Sequence, residues 1–174
     1  MSIALRAAAP DDAESIAVLH ADSWRRTYRG MMTDAFLDGY ALTNRRHVWR
    51  ERLQAGDPRQ FVCVAEEDAT IVGFVCAFAK EDANWGSYID NLHVVHAMNG
   101  RGTGRALMRS AAAWLCRVQP EAGVYLWVME ANTRARRFYE RLGATNAETV
   151  IKEDPGGGRA PNCRYVWSNP RLLL

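Results

Sequence analysis

Leu92-His93-Val94-Val95-His96-Ala97-Met98-Asn99-Gly100-Arg101-Gly102-Thr103-Gly104-Arg105-Ala106-Leu107 runs from a strand-like segment through three alternate glycines directly into a helix-forming sequence. Such a junction turns the unpaired N–H groups of a helix start toward one point, where the helix dipole favours negative charge. Glycine at positions 100, 102 and 104 lets a ligand approach the backbone without meeting a Cβ, and Arg101 and Arg105 add positive charge at the rim. The segment predicts a pyrophosphate seat. The competing reading, a tight turn that binds nothing, leaves three glycines flanked by two arginines without a purpose.

Which phosphate ligand sits there is a separate question, because alternating glycines alone are weak evidence. A Walker loop needs Gly-x-x-x-x-Gly-Lys followed by Ser or Thr, and the chain has no match. A dinucleotide site competes more closely, since the segment lies in a strand–helix–strand unit and Glu130 ends the second strand. Against it, Arg105 occupies the third glycine position of that fingerprint, two hairpin-like strands come first, and no alternation of strands and helices continues afterwards.

Phe61–Ala65 and Ile71–Phe78 read as strands of a hairpin, and Tyr88–Val95 as the strand that enters the glycine loop. A helix over Thr103–Arg117, a strand over Val124–Met129 and a helix over Asn132–Leu142 follow, the first helix broken by Pro120 and the second capped by Gly143. Upstream, Ser2–Ala7 reads as a strand and Pro10-Asp11-Asp12 as the start of a helix to about His20, with Arg25, Arg26 and Arg29 beyond it. Thr33-Asp34 and Thr43-Asn44 look like caps of shorter helices. Downstream, Thr145–Lys152 and Cys163–Trp167 return to strand character around a Gly-rich loop. Hairpins followed by a helical crossover imply a mixed α/β fold, with helices on both faces of a mostly antiparallel sheet of about seven strands.

With 174 residues the chain has the length of one domain, read here as spanning 1–174. A net charge of +2, with arginines interleaved among acids, gives no reason to expect a nucleic-acid partner. The cluster Arg134, Arg136, Arg137 and Arg141 reads as a solvated helix face. No run reaches the roughly 20 apolar residues of a membrane span, and Met1–Ala9 lacks the pattern of a secretory signal, so a cytoplasmic location is the expectation. Cys63, Cys76, Cys116 and Cys163 lie in apolar segments with no C-x-x-C pair and no histidine at ligand spacing, which predicts buried thiols and no metal.

The loop, the strand Asn91-Leu92-His93-Val94 before it and the later Asn132-Thr133-Arg134-Ala135-Arg136-Arg137-Phe138-Tyr139-Glu140-Arg141-Leu142-Gly143-Ala144 together resemble the acetyl-CoA-binding core of GNAT N-acetyltransferases. That family's loop reads Gln or Arg, two residues, Gly, one residue, then Gly or Ala; Gly102 and Gly104 match, and Asn99 departs at the first position. The resemblance covers about residues 60 to 145 and is most specific in the Asn132 to Gly143 segment. It implies a sheet splayed after Val94, with the backbone of Leu92, His93 and Val94 pairing with the pantetheine arm. It further implies that Asn99, Gly100, Arg101, Gly102, Thr103, Gly104, Arg105, Asn132 and Tyr139 hold acetyl-CoA, the co-substrate. Homodimers are common in the family.

The chemistry implied is direct attack of a primary amine on the thioester, which needs a proton donor for the departing thiolate and no metal. Tyr139 lies two helical turns beyond Asn132 and so on the same side, which makes it the expected acid; a packed aromatic is the alternative. Asp90, on the strand leading to the splay, is the preferred base, with Glu130 or a water chain as alternatives. Trp24 and Tyr28, four apart on one helical face, are the expected acceptor-binding pair, with Trp85 and the Pro155–Pro161 loop as further candidates for the rim. His93 and His96 are read either as surface histidines or as acceptor-site groups. A non-catalytic acyl-CoA sensor that retains the seat is the second reading of function, and the acceptor, a small-molecule or peptide amine, is open.

Overall fold

A computed structural model describes residues 3–174 of the chain; Ser2, the first residue of the expected first strand, lies outside them. The strands are β1 (Ala4–Ala7), β2 (Gln60–Glu67), β3 (Thr70–Asp82), β4 (Gly86–Val94), β5 (Val124–Met129), β6 (Thr145–Glu153) and β7 (Arg159–Trp167). The helices are α1 (Ala13–Thr27), α2 (Ala41–Ala55), α3 (Thr103–Val118) and α4 (Thr133–Arg141). Among the described residues the strands form one seven-stranded sheet in the order β1-β2-β3-β4-β5-β7-β6. Every neighbouring pair is antiparallel except β4–β5, whose connection through α3 forces parallel pairing. No helix among these residues is long and apolar enough to cross a membrane.

Alternation along the strands sorts their side chains onto two faces. On one face Val75, Ala77, Ile89, Leu126, Val128, Tyr165 and Trp167 pack with Leu107, Met108, Ala111 and Leu115 of α3, and α4 lies beside them through Ala135, Phe138 and Leu142. On the other, Val62, Val64, Phe74 and Cys76 pack with Ile16, Ala17, Leu19 and Trp49 from α1 and α2. The cleft described below lies between these layers.

Two helix boundaries differ from the sequence reading. α1 does not stop near His20 but continues to Thr27, because Ala17, His20, Ala21 and Trp24 form one uninterrupted buried stripe. Arg25 and Arg26 therefore lie in its last turn, not beyond it. α2 begins at Ala41 and not at Thr43-Asn44, since a π-helical turn at Phe36–Tyr40 buries Phe36 and Leu37 and leads straight into it. Both extensions owe their stability to tertiary burial, which overrides local cap signals.

Candidate active-site cleft

β4 and β5 pair only at Ser87–Val124 and Tyr88–Tyr125 and then separate. Beyond Tyr88 the edge of β4 that faces β5 has no strand partner among the described residues, although its other edge stays paired with β3 as far as Val94. The gap opens into a cavity of about 770 Å³ lined by β4, the glycine loop, β5, the end of α1 and one face of α4. Unpaired backbone along one wall of a cavity is a template for an extended ligand that carries amides.

The cavity ends at the start of α3. Gly102 sits at φ +85°, in the left-handed region, and Ala106 N–H is the first of the helix to close a bond, onto the Gly102 carbonyl. The preceding N–H groups of Thr103, Gly104 and Arg105 thus have no partner within the helix. The Thr103 hydroxyl is buried, with no hydrogen-bond partner among the described residues. A row of free donors with an orphaned hydroxyl is chemically suited to phosphate oxygens.

Of the residues expected to hold such a ligand, Leu92, His93, Val94, Asn99, Gly100, Gly102, Thr103, Gly104, Arg105, Asn132 and Tyr139 all line the cavity. Arg101 does not: its guanidinium turns to Glu67 at 3.2 Å and to the Met98 sulfur. The side chain of Asn99 bonds His96 Nδ1 at 3.1 Å, which holds the loop against itself. Arg134 and Arg141, read from sequence as part of a solvated face, line the cavity. Their seven-residue spacing, the same as that of Asn132 and Tyr139, was the available signal.

Asn132 caps α4, its Oδ1 accepting from Ala135 N–H at 3.2 Å. Tyr28 and Tyr139 line the same cavity beside it. Burial first, and then Tyr28, pushes the Tyr139 phenol up, so it stays protonated at neutral pH. Its ring lies 5.3 Å from Phe138 and 6.3 Å from Trp167.

The acceptor-side expectations divide. Tyr28 lines the cavity, but Trp24 is 7% exposed and packs against Phe36. A helix places residues four apart on one face, yet only the later of the pair extends past the covering layer. Trp85 lies under the Arg164 guanidinium at 4.5 Å, and the loop around Gly156 packs on Phe36; neither lines the cavity. Asp90 does line it, with its carboxylate 2.5 Å from Arg52. Glu130 is exposed at the end of β5, outside the lining.

His20 and His93 lie against each other at the cleft, their rings tilted with centres 4.3 Å apart. Trp49 Nε1 donates to His20 Nδ1 at 3.0 Å, leaving the His20 proton on a buried, unpartnered Nε2. His93 Nδ1 lies 2.8 Å from Ser23 Oγ. Burial holds His20 well below its ordinary 6.5, with the charges of His93, Arg45 and Arg52 adding to the effect. Burial and Arg45 bring His93 down to about 3. The unfolded chain binds these protons as pH falls through about 6.5 and the folded chain does not, so stability is full above that pH and declines toward pH 3. Between pH 6.5 and 5, above the range of the carboxylates, the unfolding free energy read from urea titrations should therefore drop, by up to about 1.4 kcal/mol per pH unit for each histidine. His93→Gln should flatten that slope; an unchanged slope would mean that His93 titrates normally in the folded protein.

A family model described as Acetyltransferase (GNAT) family matches residues 20–144. An uncharacterized N-acetyltransferase of Archaeoglobus fulgidus is 33% identical over 145 residues, spanning 78% of this chain and 88% of its own. Among solved structures, PaiA N-acetyltransferase from Thermoplasma acidophilum in complex with coenzyme A superposes with a TM-score of 0.75 at 16% identity, over 97% of this chain and 99% of that one. A mutant of spermidine N-acetyltransferase SpeG from Vibrio cholerae gives 0.68 at 19% identity, over 98% and 96% of the two chains. At such identities the structural likeness is one of fold.

Proposed function

The chain belongs to the acetyltransferase (GNAT) family, and from that premise we propose that residues 1–174 form one domain that transfers an acetyl group from acetyl-CoA to a primary amine. The observation that carries this reading is the parting of β4 from β5 directly above the donor row at the start of α3. Acetyl-CoA supplies the activated acyl group as a thioester. Free backbone groups of Leu92 to Val94 suit its pantetheine amides, and Thr103, Gly104 and Arg105 N–H suit its pyrophosphate. Arg134 and Arg141 add positive charge along the α4 wall.

Tyr139 is the proton donor in this reading. As the amine nitrogen bonds to the carbonyl carbon and the carbon–sulfur bond breaks, the phenol proton passes to sulfur, the excess amine proton leaves to water, and the phenolate regains a proton from water to close the cycle. Asp90, paired with Arg52, lies on the cavity wall, and water takes the first proton of an incoming ammonium before the neutral amine attacks. The four free cysteines accord with a reducing, cytoplasmic setting.

The test combines binding and turnover. Acetyl-CoA should raise the melting temperature where NAD does not, and a panel of amines should include at least one that releases free thiol from acetyl-CoA. Tight CoA binding without thiol release from any amine would replace this reading with the sensor, and a shift by NAD alone would replace it with a dinucleotide site.

A further inference from the structure

A second, shallow groove of about 520 Å³ runs along an exposed face of α3. It shares Gly102 and Arg105 with the cleft, so the two cavities meet at the start of the helix. Thr103 lies between those two residues, 2% exposed and with its hydroxyl unpartnered, and it marks the junction as a place for a polar ligand atom.

The groove exists because its floor is small. Ala106, Ser110 and Ala113 follow one another at helical spacing, so they lie on one face of α3 and leave room above it. Leu5 of β1 and Leu174, both exposed, line it as well and make it apolar.

Charge is the other half of the feature. Arg105 and Arg109, four residues apart on the adjoining stripe, line the same groove, and no acidic residue does. Neither belongs to an ion pair among the described residues, whereas Arg101 pairs with Glu67 and Arg171 with Glu121. Two unpaired guanidinium groups one helical turn apart, beside an apolar floor, suit a phosphate attached to a flat ring system.

Acetyl-CoA has such a part. With its diphosphate at the helix start and its pantetheine arm along β4, the adenosine and the phosphate on its 3′-oxygen must leave the junction away from the arm. The groove is continuous with that point, and the ribose alone separates the two phosphate groups. Arg134 and Arg141 of α4 line the cleft but not the groove.

We propose that this groove holds the 3′-phosphoadenosine end of acetyl-CoA, with Arg109, joined by Arg105, on the 3′-phosphate and the adenine over Ala106, Ser110 and Ala113. Arg109 is then a specificity-determining residue for the donor, which distinguishes CoA from its 3′-dephosphorylated form. This rests on the acyltransferase reading above.

The experiment measures the dissociation constants of CoA and 3′-dephospho-CoA for the full chain by calorimetry, at low and at moderate salt. CoA should bind more tightly by about 5- to 30-fold, the scale of one or two exposed charge-assisted contacts. That ratio should shrink as salt rises, because both arginines are exposed. Arg109→Gln should remove most of the ratio and Arg109→Lys should keep part of it, while Arg134→Gln should not change it. If Arg109→Gln lowers the melting temperature of the unliganded protein, Ala113→Glu decides: an acid in the groove must also lower the ratio. Equal affinity for the two ligands overturns this inference alone, as does a ratio that survives Arg109→Gln or is lost in Arg134→Gln instead. Binding of neither ligand rejects the acetyl-CoA reading and this inference with it.

Discussion

Tyr139→Phe is expected to lower kcat by about 10- to 1,000-fold, the range of general-acid effects, while leaving acetyl-CoA binding and stability nearly unchanged. The ring packs edge-on against Phe138 and Trp167, and phenylalanine keeps those contacts. What is lost is a phenol that burial and Tyr28 keep protonated. A raised phenol makes proton transfer to a thiolate of pKa about 8.5 less strongly driven, so the transfer must accompany bond breaking and not follow it. The defect should therefore shrink with an acyl donor whose thiol has a lower pKa. Because the phenol lies above its ordinary value of 10.0, wild-type kcat should also show no loss from its ionisation below about pH 10. A Tyr139→Phe enzyme with wild-type kcat on both donors would leave Tyr139 as a packing residue.

Gly102→Val and Gly104→Val should each abolish most of the thermal stabilisation by acetyl-CoA, for different reasons. At 100 times its dissociation constant a ligand adds about 2.7 kcal/mol, which is the increment to be lost. Gly102 sits at φ +85°, a conformation a β-branched residue avoids, so valine there rotates the donor row away from its focus. Gly104 has helical backbone, and a Cβ there would lie 3.5 Å from Phe138 Cζ and 3.9 Å from Val94 Cγ2, an ordinary contact. Its valine should fold well and act by filling the cleft with its γ-carbons. The measurement is the ligand-induced increment in melting temperature, which separates loss of the seat from strain in the unliganded protein. An undiminished increment in both variants would remove the loop from the binding site.

Much of the cleft's geometry was legible because backbone groups set it. Where a strand meets alternating glycines and a helix start, the chain itself sets which N–H groups are free, and side-chain identity matters little. The same holds for Asn132 and Tyr139, whose seven-residue spacing on one helix fixes their common side before any tertiary contact forms. Side chains that reach out of a segment were less predictable. Arg101 and Arg105 are equivalent as rim charges in the sequence, but Glu67, on the end of β2, captures the first and leaves the second in the cleft.

The order of elements, the mixed sheet, the free N–H groups at the start of α3 and the shared side of Asn132 and Tyr139 follow from local backbone preference and periodicity, and so could be read from the residues. Only the tertiary structure decided that Trp24 is core while Tyr28 meets the cleft, that Arg52 claims Asp90 across a separation of 38 residues, and that Arg45 is buried without a carboxylate. The physical reason is one of range. Helical hydrogen bonds and dihedral preferences act between neighbours in the chain, whereas burial and charge pairing depend on which distant segments the folded sheet brings together.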